Sequence, residues 1–509
     1  MLAPRLFFLL VALCLWASQA RADDTLRVGS KRFTESYILA EVLAQAAAPQ
    51  LQKPPAVLQG LGNTAIVYEA LRAGNVDLYP EYTGTVVQEI LKRSGPLPLA
   101  AIDAALAPLG LGAAIPLGFQ NGYAIAMREA DAARLGIRSL SDLARHPELV
   151  PGLSNEFLGR ADGWKGLVQH YRLPQTPRAL DHGLAYDALA TGRIDAMDIY
   201  TTDAQIAALH LRVLQDDQAY FPRYDAVVLY RRDVPQRFPA AWKALSGLAG
   251  SIDENRMVAM NARAELAGTA FDVIARDQLA GRTPDAATAA PAARSPLARF
   301  AGRLFGPDLG RLTRQHLALV GIAVGAAMLL AVPLALLVVR RPRLRAALLG
   351  SAGLLQTVPS LALLAALIPL TGRIGIVPAL LALMLYALLP ILRNTSTALA
   401  AVPAGLQQAG TALGMTAAQR LRCIDLPLAL PVILAGVRTA TSISIGTATI
   451  AAFIGAGGYG ERIVTGLALN DGALLLAGAL PAAALALASE ALFAGAERWL
   501  PGAASRRAA

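Results

Sequence analysis

Two hydrophobic regimes divide the chain. From Asp23 to about Arg282, apolar residues come in short runs separated by stretches where they recur every three or four positions. Leu26-Arg27-Val28-Gly29 is strand-like, and Ser36 to Ala48 carries Ile38, Leu39, Val42 and Leu43 at helical spacing. The alternation recurs around Val57, Ala124-Ile125-Ala126 and Ala226-Val227-Val228-Leu229. This predicts an α/β unit with enough residues for two lobes. After Gln315 the pattern changes. Five stretches, His316–Val339, Ala346–Leu370, Ile374–Leu392, Pro427–Ile454 and Ala473–Phe493, approach the roughly 20 apolar residues that cross a bilayer. Between the regimes, residues 283–299 are rich in Ala, Pro, Thr and Arg, and we read 283–315 as a linker.

The first 22 residues have the pattern of an export signal. Arg5 is followed by an apolar core from Leu6 to Trp16, and Ala20-Arg21-Ala22 is an A-x-A cleavage site. The expected layout is therefore a signal at 1–22, an exported α/β domain at 23–282, the linker, and a membrane domain of about five helices at 316–500.

Composition agrees. Hydrophobic residues make up 55% and charged residues 16%, against about 25% charged in soluble domains. The net charge of +10 suggests a nucleic-acid binder until it is located. Residues 300–509 hold 16 Arg and 6 acids, which accounts for all of it, and residues 1–299 balance. Arg340, Arg341, Arg343 and Arg345 follow the first span, Arg420 and Arg422 lie between the third and fourth, and Arg506 and Arg507 come near the end. With five spans these clusters share one side, which the positive-inside rule assigns to the cytoplasm. No nucleic-acid partner is implied. The two cysteines, Cys14 and Cys423, exclude a disulfide scaffold, and no Cys/His spacing suggests zinc. No G-x-x-x-x-G-K-[S/T] phosphate loop occurs, no nucleophile–base constellation marks an enzyme, and no cofactor is expected.

Residues 408–427 include Gln408-Ala409-Gly410, Gly414 and Ile424-Asp425-Leu426-Pro427. This resembles the cytoplasmic coupling loop of ABC-importer permeases, with Gly414, Ile424, Leu426 and Pro427 at the family spacing. Gln408 and Gly410 stand where the family carries glutamate and alanine. The expected form is a short helix, a glycine turn and a second helix stopped by Pro427, making a knob that an ATPase on a separate chain grips. The stretch 428–463 resembles glycine betaine/choline permeases in particular. Arg438 and Glu490 fall within or near spans, where pairing inside the bundle and snorkelling are both open.

The exported half resembles the substrate-binding proteins of the same importers, on Gly29-Ser30-Lys31-Arg32-Phe33-Thr34-Glu35, Tyr79 to Thr85, Arg160 to Trp164, and Phe221-Pro222-Arg223-Tyr224-Asp225. The resemblance implies a two-lobed, type II periplasmic-binding-protein clamp, followed by an all-α type I permease. Trimethylammonium has no N–H to donate, so aromatic faces are its natural host. The resemblance assigns the cage to Tyr82, Tyr123, Tyr200 and Tyr224, with Tyr79 competing for the place of Tyr82. It assigns Lys31, Arg160 and Thr85 to a ligand carboxylate. His146, His170, His182 and His210 read as ordinary surface or core residues. The expectation is the capture and translocation subunit of an importer for a quaternary-ammonium solute such as glycine betaine or choline, in the bacterial inner membrane, its permease domain paired with a second copy. A ligand-gated channel or a transmembrane solute sensor would share the layout.

Overall fold

The computed structural model describes residues 25–93, 95–282, 295–469 and 471–498. The export signal expected at 1–22, and Arg506 and Arg507, lie outside them.

In the α/β half, β1 (Arg27–Gly29), β2 (Ala56–Leu58), β3 (Leu78–Tyr82) and β4 (Leu111–Ala114) open one lobe. The chain then crosses to a second lobe for β5 (Tyr123–Arg128), β6 (Pro151–Ser154), β7 (Arg178–Leu180), β8 (Ala196–Tyr200) and β9 (Leu211–Val213), and returns for β10 (Ala226–Arg231). The two sheets have orders β2-β1-β3-β10-β4 and β7-β6-β8-β5-β9. In each sheet one strand from across the crossover runs antiparallel to its neighbours: β10 against β3 and β4, and β5 against β8 and β9. The two crossovers lie side by side, bridged at Gln120 and Asp225, and form the hinge of a clamp.

The first helix, α1 (Thr34–Ala47), buries Ile38, Leu39, Val42 and Leu43, as its spacing predicts. Helix α2 (His182–Ala190) opens the second lobe's face of the cleft, capped by Asp181, whose carboxylate accepts from the Gly183 N–H at 3.2 Å. Helix α3 (Glu254–Glu265) packs against α1 and closes the back of the hinge.

Of the segment expected to be a linker, residues 283–294 lie outside the described residues, and 295–315 carry structure. Helix α4 (Pro296–Leu304) packs on the last span, and α5 (Leu309–Val338) starts seven residues before the expected His316. Buried Arg462 holds this junction: it pairs with Asp308 at 2.6 Å and donates to the carbonyls of Leu304 and Ala477 at 2.9 and 3.2 Å. The sequence looked like a linker because the ties that order it come from residues about 155 positions away.

The second expected span is a correction. In place of one helix over Ala346–Leu370, α6 (Pro342–Thr357) and α7 (Ser360–Thr371) meet at a bend of 101°. Pro359 breaks the ladder, and the preceding Val358 is pushed to extended backbone. Then follow α8 (Ile376–Ala400), α9 (Ala404–Ala412), α10 (Ala417–Ala448), α11 (Gly460–Ala468) and α12 (Gly472–Ala496). Among the described residues α5, α8, α10 and α12 are long and apolar enough to cross a membrane, and the bent pair makes a fifth crossing if counted as one. Arg438 and Glu490 pair between α10 and α12, and Ser442 donates to the same carboxylate at 2.5 Å.

The α/β half, expected to be the receptor, sits on one end of this bundle. Asn75 donates to the Gly372 carbonyl at 3.1 Å, and the Phe453 ring lies 5.0 Å from the Arg32 guanidinium. A Cβ on Gly183 would stand 2.0 Å from the Leu467 carbonyl oxygen, so α2 meets the end of α11 at a contact only glycine allows. The start of α8 and the end of α10 therefore face the receptor. At the opposite ends, Arg340 and Arg341 follow α5, Arg343 and Arg345 open α6, and Arg420 and Arg422 lie at the start of α10. The basic side is the side away from the receptor, as the arginine distribution requires.

Candidate functional site

All four predicted tyrosines lie at strand ends beside the hinge, where clefts open in α/β sheets. Tyr123 opens β5 and Tyr200 closes β8, directly opposite in register. Tyr82 closes β3, and Tyr224 precedes β10. Tyr123 is the centre, with its ring 5.2 Å from Tyr200, 5.8 Å from Tyr224 and 5.2 Å from Phe157. Phe33 links this group to Tyr82, at 5.2 Å from Tyr200 and 6.3 Å from Tyr82. Tyr79 is excluded from the cleft. It lies three positions from Tyr82, hence on the opposite face of β3, buried with Leu61, Val67 and Ile102.

Lys31, Arg160 and Thr85 reach the same cleft, but both cations already have acids. Lys31 Nζ lies 2.5 Å from Glu81 and 4.8 Å from the Tyr82 ring centre. Arg160 grips Asp162 with two bonds, at 2.7 and 2.6 Å, and reaches Thr85 Oγ1 at 3.4 Å. Its guanidinium covers the Tyr123 ring at 5.1 Å, while the Tyr224 hydroxyl donates to Asp162 at 2.6 Å. The seven residues converge, yet the bases are neutralised from within, by Glu81 and Asp162 at positions the sequence reading left without a role. Burial explains this: a cation as enclosed as Lys31 or Arg160 needs a partner.

Glu35 is the residue sequence reasoning missed. It is fully enclosed at the start of α1 and accepts four bonds: from the Tyr82 hydroxyl, Asn121 Nδ2 at 3.0 Å, Thr202 Oγ1 at 2.5 Å and Asn261 Nδ2 at 3.3 Å. Those donors come from one lobe, the hinge, the other lobe and α3. Burial raises the Glu35 pKa above the ordinary value, against the pull of these bonds. Burial and the neighbouring Glu35 push the Tyr82 hydroxyl well up, so it stays a donor. His182 is also no ordinary residue. Its ring lies 4.8 Å from Tyr200. Burial opposes its charge, but Asp203 at 3.2 Å and Asp198 at 3.9 Å outweigh that and hold its pKa up at about 10. Phe33 and Glu35 both sit inside the Gly29–Glu35 signature, which was the available signal.

The cleft thus offers a wall of aromatic faces in a ring of excess acid. Lys31, Arg160 and His182 face Glu81, Asp162, Glu35, Asp198 and Asp203.

On the far side of the bundle, α9 ends in a turn set by Gly414, at φ +77°. The Met415 N–H donates to the Gly410 carbonyl and the Gly414 N–H to Thr411, both at 3.0 Å. This pair of bonds is the Schellman stop. A Cβ on Gly410, where the family carries alanine, would come within 2.8 Å of Ile424 Cδ1, so that side-chain end would have to turn aside. Gln408 and Ala409 are exposed, and Leu413 is 83% exposed, an apolar tip on a polar knob. Gln407 closes the loop on Asp425 at 3.1 Å. Contrary to expectation, Pro427 does not stop a helix. The run from Ala417 passes through it to Ala448. A π-turn at Leu421–Asp425, with the Leu426 N–H on the Leu421 carbonyl, shifts the ladder just before the residue that has no N–H to give.

A hinged solute receptor seated on a polytopic bundle, with an exposed knob on the opposite face, defines the receptor-and-permease part of a binding-protein-dependent importer. Residues 24–281 match the substrate binding domain of the ABC-type glycine betaine transport system, and residues 323–500 the inner membrane component of binding-protein-dependent transport systems. The chain belongs to the ABC-type glycine betaine transport family, with receptor and permease in one polypeptide. It is 50% identical over 183 residues to the osmoprotectant import permease protein OsmW of Salmonella typhimurium, covering 35% of this chain and 85% of that protein. It is 35% identical over 285 residues to a glycine-betaine-binding protein of Pseudomonas aeruginosa, covering 52% of this chain and 90% of that protein. It is also 33% identical over 288 residues to the ergothioneine transport permease/ergothioneine binding protein EgtU of Helicobacter pylori, covering 53% of this chain and 50% of that protein.

The chain is therefore a transporter subunit of the inner membrane, with an extracytoplasmic receptor and ATP hydrolysis on a separate subunit. Family membership leaves the channel and sensor readings without support.

Proposed function

We propose that the receptor half captures a quaternary-ammonium solute of the glycine betaine or choline type and that the permease half carries it inward. The observation that supports this most is the convergence of Tyr82, Tyr123, Tyr200 and Tyr224, with Phe33 and Phe157, in a cleft whose acids outnumber its bases. A trimethylammonium gains about 0.5–2 kcal/mol per aromatic face, and the excess negative charge favours it further. Lys31 and Arg160 meet a ligand carboxylate only by sharing themselves with Glu81 and Asp162, with Thr85 Oγ1 beside Arg160 as a neutral donor. Arg160→Ala therefore weakens glycine betaine more than choline, whose hydroxyl is neutral. Calorimetry on residues 23–282 tests both parts. No heat with any betaine or choline, alongside clear binding of an amino acid or a sugar, refutes the substrate class. Equal losses for the two ligands refute the role of Arg160. Two copies of the permease half pair around the pathway, and an ATPase dimer grips the two knobs.

A further inference from the structure

A cavity of about 320 Å³ lies outside the receptor cleft, between it and the membrane bundle. Its receptor wall includes Phe33 and Tyr200, which also flank Tyr82 and Tyr123 in the cage. The space therefore begins where the cage ends. Its opposite wall is Phe453, and its floor is Leu361 and Leu364 on α7, laid beneath the receptor by the bend at Pro359.

Its lining carries two bases, Arg32 and His182, and two acids, Glu156 and Asp181, and the acids behind His182 tip the balance negative. Arg32 is matched by Asp181 at 3.1 Å, across the two lobes. His182 is outnumbered by Asp198 and Asp203. Glu156 lines the space with its nearest base, Arg160, 3.8 Å away and already held by Asp162. The Phe453 ring shows what this wall accepts, since it carries the Arg32 guanidinium at 5.0 Å. Aromatic faces, a surplus carboxylate and an apolar floor repeat the chemistry of the cage, in a volume at the lower end of small-ligand sites.

We propose that this cavity is a second quaternary-ammonium site, weaker than the cage, into which the solute steps on leaving the receptor and from which it enters the permease. This rests on the substrate reading above. The solute passes from the Tyr123 and Tyr200 faces to the Phe453 face without regaining a full water shell.

The test uses the full chain in lipid nanodiscs with its ATPase, and p-azidophenyltrimethylammonium as a photolabel. Cross-links are expected in the cage and also on residues 361–368 or Phe453, both suppressed by excess choline. Leu361→Trp fills the cavity from a half-exposed floor position. It should remove the floor label and lower choline uptake by about tenfold or more, while cage labelling in the same sample reports an intact receptor. Phe453→Ala should lower floor labelling, and Phe453→Tyr should restore it. Label confined to the cage, with Leu361→Trp uptake at the wild-type rate, overturns the second site and leaves the substrate reading standing. Absence of any choline-suppressed label overturns the substrate reading, and the second site with it.

Discussion

Replacing Gly414 with valine isolates the coupling knob from the rest of the machine. A Cβ at this position meets nothing within 4 Å, so the substitution adds no clash. It acts only through the backbone, held at φ +77°. A β-branched residue kept there costs about 1–3 kcal/mol. If the chain escapes the strain, it gives up the Schellman bonds from Met415 to Gly410 and from Gly414 to Thr411, each about 0.5–1.5 kcal/mol. Both routes cost about 1–3 kcal/mol, a 5- to 150-fold fall in the population of the native knob relative to alternatives. ATP-driven choline uptake in proteoliposomes and co-purification of the ATPase should both fall, while choline affinity, measured by calorimetry, stays unchanged because the receptor lies across the membrane. Gly414→Asn should retain more activity, because asparagine tolerates the left-handed region. Wild-type uptake with valine, or an equal loss with asparagine, would refute the argument that the turn geometry makes the knob.

Tyr123→Ala, Tyr200→Ala and Tyr224→Ala should each weaken trimethylammonium binding by at least about 1 kcal/mol in calorimetry, Tyr123 most, because its ring lies against Tyr200, Tyr224 and Phe157. Cys423 is exposed at the knob, so a membrane-impermeant thiol reagent should miss it in intact cells and label it in inverted vesicles. Labelling from outside would reverse the topology. Because His182 is raised from 6.5 to about 10, the stability it contributes is full below about pH 6.5 and is lost as pH climbs through about 10. Melting temperatures of the full chain should fall across that window, and His182→Gln should flatten the fall. An unchanged slope in the variant would show that the imidazolium does not carry it.

Local patterns carried much of this protein. The partition into an α/β half and a membrane half is written in hydrophobic period and run length, because each solvent imposes its own rule on neighbouring residues. Sidedness was readable from arginine positions for the same reason, and Gly414 because a left-handed turn is a property of a few bonds. The four tyrosines sit in short motifs at strand ends, where a resemblance can point to them.

Long-range contact decided the remainder. Tyr79 and Tyr82 were distinguished only once β3 had paired and each face had a neighbour. Arg160 and Lys31 look free in a linear reading, but folding buries them, and buried charge must find a counter-charge. Glu35 gathers donors from Tyr82, Asn121, Thr202 and Asn261, the last 226 positions away, so no window on the chain contains that site. Pro359 marks a break in the chain, but that the break lays α7 beneath the receptor as the floor of a cavity depends on packing against residues far away in sequence. Apolar period records which solvent a residue meets. Which residue it meets is settled by closure of the lobes and by their seating on the bundle.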